Sequence, residues 1–223
     1  MNVAENIKKF RNLIPTEVKI VAVSKFHPAA LILEAYEAGQ KDFGESRVQE
    51  FLEKEKNLPK DINWHFIGHL QTNKVKQIIG KTNLIESVDS KKLLNLIDKE
   101  SEKLGVKTRV LLQVHIASEE AKFGFYPDEL EEYLAGKDYT SLKNTEICGL
   151  MGMATNTEDE NKIKEDFHKL HNIFKKVKND YGRDMPSFKY LSMGMSGDWP
   201  LAIKEGSNIV RIGSAIFGDR YYS

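Results

Sequence analysis

Lys25 follows the apolar run Ile20-Val21-Ala22-Val23-Ser24 and precedes Phe26-His27-Pro28. A lysine at the end of such a run has two readings. In the commoner one its alkyl stem packs on the core while the ammonium reaches water. In the other, a partly desolvated amine has a lowered pKa and attacks carbonyls. Two distant segments carry a different chemistry. Leu191-Ser192-Met193-Gly194-Met195-Ser196-Gly197-Asp198 and Arg211-Ile212-Gly213-Ser214-Ala215 each combine glycine with serine. Glycine lets a backbone come close to a ligand and serine adds a donor, so Ser196, Gly213 and Ser214 are suited to a phosphate. Their plainer reading is ordinary turns, with Ser196 capping a following helix. Arg211 could meet the same ligand as Lys25, or form an ion pair with a carboxylate such as Glu45 or Asp219.

Other candidates carry less. His168 and His171 are three apart on a helix, but no third ligand accompanies them, so a solvated face is expected. His65 and His115 lie in strands with no evident triad partner. Cys148 precedes Gly149 in an apolar strand and reads as a small buried hydrophobe. Lys107, Arg109 and the lysines of 162–178 sit in mixed-charge stretches without interleaved aromatics, which argues against nucleic acid.

The elements that must position these residues alternate along the whole chain. Strand-like runs are expected at Lys19–Lys25, Asp42–Glu45, Asn63–Gly68, Leu84–Val88, Thr108–Ile116, Glu146–Met153, Lys189–Gly194 and Ile209–Ser214. Helices are expected between them, at Pro28–Gly39, Ser46–Leu58, Gln71–Ile79, Asp89–Leu104, Pro127–Leu134, Thr157–Tyr181 and Asp198–Glu205, with a further helix at the N-terminus. Ser46 with Gln49, and Thr157 with Glu160, have the spacing of capping boxes. Gly105 is placed to end its helix. Such alternation implies parallel strands joined by right-handed crossovers. About eight units over 223 residues predict a single (β/α)8 TIM barrel spanning residues 1–223. The open doubly wound sheet usually carries a glycine-rich turn after its first strand, where this chain has Lys25-Phe26-His27-Pro28. In a barrel, chemistry sits at the C-terminal strand ends, and the loops after strands seven and eight commonly bind phosphate. Strands one and eight are neighbours once the barrel closes, which brings Arg211 toward Lys25.

Composition narrows the class. Thirty-three basic residues balance 33 acidic ones, with 40% hydrophobic and 30% charged residues, as in an ordinary globular protein. That balance gives no whole-chain field to attract nucleic acid or an acidic membrane. With one cysteine, an internal disulfide cannot form, which agrees with a reducing cytoplasm. Met1 to Pro15 has neither the apolar core of a signal peptide nor the length of a membrane span. A cytoplasmic protein is expected.

The segments AVSK (22–25), FGESRVQE (43–50), WHFIGHLQTNK (64–74), CGLMGM (148–153), LSMGMSGDW (191–199) and VRIGSAIFG (210–218) resemble the pyridoxal phosphate homeostasis proteins. That family is similar in turn to the barrel domain of alanine racemase, and the likeness covers nearly the whole chain. It implies pyridoxal phosphate as cofactor, held as a Schiff base on Lys25. It also implies that Ser196, Gly213 and Ser214 hold the phosphate and that Arg211 faces the pyridine nitrogen. An arginine there disfavours protonation of that nitrogen and makes a weaker electron sink. Many relatives have asparagine where this chain has Ser46, so no cofactor contact is assigned to Ser46.

Racemisation needs acid–base groups on both faces of the substrate carbon. In racemases resembling this barrel the second group comes from an added β-domain and a partner subunit, whereas nine residues follow Ser214 here. The expectation is therefore a monomeric, essentially non-enzymatic binder for vitamin B6 homeostasis that buffers the cofactor or delivers it to apo-enzymes. A small dimeric amino-acid racemase and a cofactor-free Schiff-base aldolase using Lys25 are the alternatives.

Overall fold

A computed structural model describes residues 2–119 and 123–218. Eight strands, β1 (Lys19–Val23), β2 (Asp42–Glu45), β3 (Asn63–Phe66), β4 (Leu84–Val88), β5 (Thr108–Gln113), β6 (Thr145–Met151), β7 (Tyr190–Met195) and β8 (Ile209–Ile212), pair in chain order and close into a barrel. Every pairing is parallel, including the closure of β8 on β1 through Lys19↔Ile209 to Ala22↔Ile212. The fold is the (β/α)8 barrel expected from the alternation.

The helices are α1 (Val3–Leu13), α2 (Ala29–Glu37), α3 (Val48–Asn57), α4 (Val75–Ile78), α5 (Lys91–Leu104), α6 (Pro127–Ala135), α7 (Glu160–Tyr181), α8 (Trp199–Lys204) and α9 (Ser214–Phe217). No helix among the described residues is long and apolar enough to cross a membrane. Strand side chains alternate between the helix layer and the barrel axis. The outward set, among them Ala22, Phe43, Trp64, Phe66 and Val210, joins helix residues such as Ile32, Phe51 and Ile97 in the main core. A second, smaller cluster, Val21, Leu84, Leu111, Cys148, Met151 and Ile209, is separate from it. Cys148 is the buried hydrophobe expected, and burial pushes its thiol pKa up.

Several boundaries differ from the sequence reading, each for a local reason. The helix expected from Ser46 starts at Val48, with Arg47 at its N-cap, so the Ser46–Gln49 box does not form. The Thr157–Glu160 box is also absent. Asp159 caps α7 by accepting from the Asn161 and Lys162 amides, while Thr157 Oγ1 accepts from the Asp159 amide at 3.2 Å. The segment 71–79 splits into a 3-10 turn at Thr72–Lys74 and the short α4. The fifth strand ends at Gln113, beyond which Val114 bridges to Phe125. Gly105, at φ 64°, ends α5 as expected, and Ser90 caps its start.

Candidate functional site

The inward alternation of β1 runs Lys19, Val21, Val23 and carries on to Lys25. Lys25 lines a cavity of about 440 Å³ at the C-terminal mouth, together with Ser196, Gly213, Ser214, Arg211 and His69. All five residues expected to hold the cofactor thus meet in one place. A larger cleft, about 810 Å³, lies behind this segment and is lined by Phe26, Arg47, Glu50 and Lys54 among others. It includes neither Lys25 nor the two glycine–serine loops, so the mouth cavity is the candidate site.

Both neighbours of Lys25 are clamped from below by charge. Lys54 Nζ, on α3, donates to Ser24 O at 2.8 Å, to Glu45 Oε1 at 2.8 Å and to Glu50 Oε1 at 2.6 Å. Glu45 Oε1 also accepts from Ser24 Oγ at 2.6 Å, and Glu50 Oε1 accepts from the Phe26 amide at 2.6 Å. Phe26 has φ 66°, a left-handed backbone uncommon for a bulky residue. Such strain persists only where surroundings enforce it. Here the Glu50 carboxylate holds its amide and the Arg47 guanidinium lies 4.4 Å from its ring centroid. Burial drives the Glu45 pKa up to about 7, against the opposing pull of Lys54.

On the opposite wall, Ser196 does not cap α8; Asp198 occupies that N-cap position. Ser196 Oγ instead accepts from the Gly213 amide at 3.2 Å, tying the loop after β7 to the loop after β8. The next two amides, of Ser214 and Ala215, begin α9 and donate to no described residue; the first helical bonds run from Ile216 and Phe217 back to Gly213 O. Free amides beside two serine hydroxyls form a donor set that fits a phosphate. Gly68 lets the third wall close in, because a Cβ there would lie 2.3 Å from Ser46 O. Ser46 lines the same cavity.

Arg211 is buried and enters the cavity from β8. Its Nη1 donates to Ser192 Oγ at 2.6 Å and its Nη2 to Gly152 O at 2.9 Å. Its nearest carboxylate is Glu86, at 3.8 Å, and not Glu45, which is engaged with Lys54. Asp219, the other carboxylate considered, lies outside the described residues. Below Arg211 a chain of charges descends the barrel axis, buried at Glu86 and His65 and partly exposed at Asp42 and Lys19. Glu86 accepts from Ser192 Oγ at 2.5 Å and pairs with His65 Nδ1 at 2.5 Å. His65 Nε2 meets Asp42 Oδ1 at 3.2 Å, and Lys19 Nζ meets that oxygen at 2.6 Å. Burial opposes the His65 charge, but hydrogen bonds to Asp42 and Glu86, and their charges, raise its pKa. Burial opposes the Glu86 charge too, yet bonding to His65, then the charges of His65 and Arg211, hold its carboxyl below the usual range. Both His65 nitrogens thus face carboxylates, which favours the charged ring, and Lys19, Asp42, His65, Glu86 and Arg211 follow one another from the floor upward.

Glu86→Gln keeps the shape but removes the central negative charge. The His65 pKa should fall, followed through its ring NMR signals, and stability should drop by about 2 kcal/mol, the scale for a charge-assisted bond. The His65 effect loses stability as pH rises through its folded pKa, so the variant's deficit should shrink at alkaline pH. An unmoved His65 titration would contradict the pairing.

Sequence reasoning missed Glu86, Ser192, Lys54 and the role of His65. The available signal was a polar or charged residue inside an otherwise apolar strand, His65 in β3, Glu86 in β4 and Ser192 in β7, whereas Lys54 lies on helix α3. His168 meets Glu205 on the surface at 3.0 Å, and no metal-binding group of three ligands occurs among the described residues. His115 Nε2 pairs with Glu119 O at 2.8 Å rather than with a triad.

Residues 1–221 match the family model described as alanine racemase, N-terminal domain. The pyridoxal phosphate homeostasis protein of Aquifex aeolicus is 42% identical over 206 residues, covering 92% of this chain and 88% of the relative. That of Mus musculus is 38% identical, covering 96% and 81%. Among solved structures, PipY of Synechococcus elongatus with PLP bound is 35% identical, with a TM-score of 0.86 over 97% of this chain and 100% of PipY. Alanine racemase of Clostridium difficile shares the fold at 17% identity, with a TM-score of 0.79; 59% of its length is covered. With this architecture and these relatives, the chain belongs to the pyridoxal phosphate homeostasis protein family, within the alanine racemase N-terminal domain family.

Proposed function

We propose that this chain binds pyridoxal phosphate as a Schiff base on Lys25 and serves intracellular vitamin B6 homeostasis by buffering or delivering it. The observation that carries this reading is the meeting of Lys25 with the Ser196–Gly213–Ser214 donor set and Arg211 in one cavity. Two serine hydroxyls and two free amides suit the phosphate, Lys25 supplies the amine, and Arg211 takes the side of the pyridine nitrogen. When bound, the cofactor supplies a carbonyl that condenses with amines and a ring that draws electrons. The protein's own part is to place the amine, bind the phosphate and set the charge beside the ring. Arg211, anchored by Ser192, Gly152 O and Glu86, is a fixed cation there and disfavours protonation of the ring nitrogen.

A carrier is supported over a racemase because the relatives are named for homeostasis rather than for a reaction. The chain acts as one cofactor-binding unit, a monomer in the cytoplasm, with apo-enzymes that need the cofactor as its recipients.

Titration with pyridoxal phosphate, followed by visible absorbance, tests the reading. Uptake of one equivalent with a Schiff-base band is expected. Arg211→Ala should move that band and its pH dependence while changing affinity by less than about tenfold, since the covalent bond and phosphate contacts remain. A protein that takes up none overturns the proposal.

A further inference from the structure

His69 stands on the wall of the mouth cavity that also holds Lys25. Its ring is held at one nitrogen and on one face. Nδ1 lies 2.8 Å from Asp89 Oδ2, at the end of the next strand. One face stacks on the Phe123 ring, with centroids 3.8 Å apart and planes 12° from parallel. Phe123 is itself fixed, because Gln113 Nε2 donates to its carbonyl at 2.7 Å. A neutral ring that donates Nδ1–H to Asp89 carries its lone pair on Nε2. That atom makes no hydrogen bond to any described residue. The side chain is 38% exposed, so protons gained or lost there can pass to water.

The geometry points to His69 as a proton-carrying group for loading and release of the carbonyl ligand on Lys25, with Asp89 as its positioning residue. This rests on reading Lys25 as the Schiff-base lysine. When the Lys25 nitrogen forms its C=N bond, the carbonyl oxygen departs as water. Two protons leave the amine and two arrive on that oxygen, with no change of oxidation state. Release is the reverse, consuming one water. Both directions require those protons to move between the nitrogen and the departing oxygen, a transfer that a nearby relay group speeds. The titratable groups facing His69 across the cavity are Lys25, His27 and Arg211. Lys25 is the nucleophile, Arg211 stays charged, and His27 is 4% exposed against the Phe217 ring. An imidazole that is oriented, wet and free at one nitrogen is the group suited to the task.

A group that carries protons in both directions alters rates and leaves the equilibrium alone. Association and release rate constants for pyridoxal phosphate, from absorbance relaxation over a range of ligand concentrations, separate this from a binding role. His69→Gln should lower both constants by the same factor, at least about tenfold, with Kd unchanged within about twofold. Asp89→Asn should lower both by a smaller factor. Added imidazole should restore the rates of His69→Ala, which a merely structural role would not allow. Unchanged rates, or a changed Kd carried by release alone, would overturn the inference. Absence of uptake by the unaltered protein would instead overturn the reading of Lys25.

Discussion

Replacing Lys25 by alanine should abolish covalent retention of pyridoxal phosphate while the barrel stays folded. No other amine lines the mouth cavity among the described residues, so borohydride should fix no cofactor there. Intact-mass measurement after reduction reads this as a fall from one adduct per chain to none. The fold should survive because Lys54 and Glu50 hold Ser24 and Phe26 by their backbone groups, independently of the side chain between them. Unfolding free energy should change by no more than about 1 kcal/mol, as for substitutions outside a core or buried network. Weak non-covalent binding through the phosphate donors should remain. An adduct of undiminished yield in the variant would move the site elsewhere.

Lys54→Met should destabilise the protein by about 3–5 kcal/mol, the cost of removing one partner of a buried ion pair. Methionine fills much of the space, but Glu45 and Glu50 lose their shared cation and Ser24 O loses its donor. The sign of the pH effect follows from Glu45. Burial raises its folded pKa from 4.5 to about 7, so between those values the folded state holds a proton that the unfolded state has lost. Glu45 therefore erodes stability as pH rises across that window. Without Lys54 to favour the carboxylate, the folded pKa climbs further and the erosion extends to higher pH. Urea midpoints should show a larger deficit at pH 8 than at pH 5.5; equal deficits would contradict a charged role for Lys54. Because the same bonds hold the left-handed Phe26, cofactor binding should weaken as well.

Much of this arrangement was legible from sequence because it is local or repetitive. The strand–helix alternation fixes parallel closure, and closure alone brings Lys25 and Arg211 together. The glycine–serine loops after β7 and β8 could be read as phosphate-competent without knowing the fold. The capping boxes misled, since the backbone after β2 turns into helix only beyond Arg47, where Ser46 already faces the Gly68 wall. The axial charges were invisible for another reason. His65, Glu86, Ser192 and Arg211 belong to four strands, and none shows its partner until the barrel closes. His69 lies just past β3 and its partner is not visible in sequence, because Asp89 lies 20 positions away. Sequence spacing reports neighbours within an element and says little about those across a barrel mouth.

The most direct test of the central claim is a visible spectrum of the purified protein loaded with pyridoxal phosphate, before and after borohydride, followed by peptide mapping. A Schiff-base band that bleaches on reduction, with the cofactor mass on the peptide bearing Lys25, is the expected result. A protein with no such band, or a label on any other lysine, would contradict it.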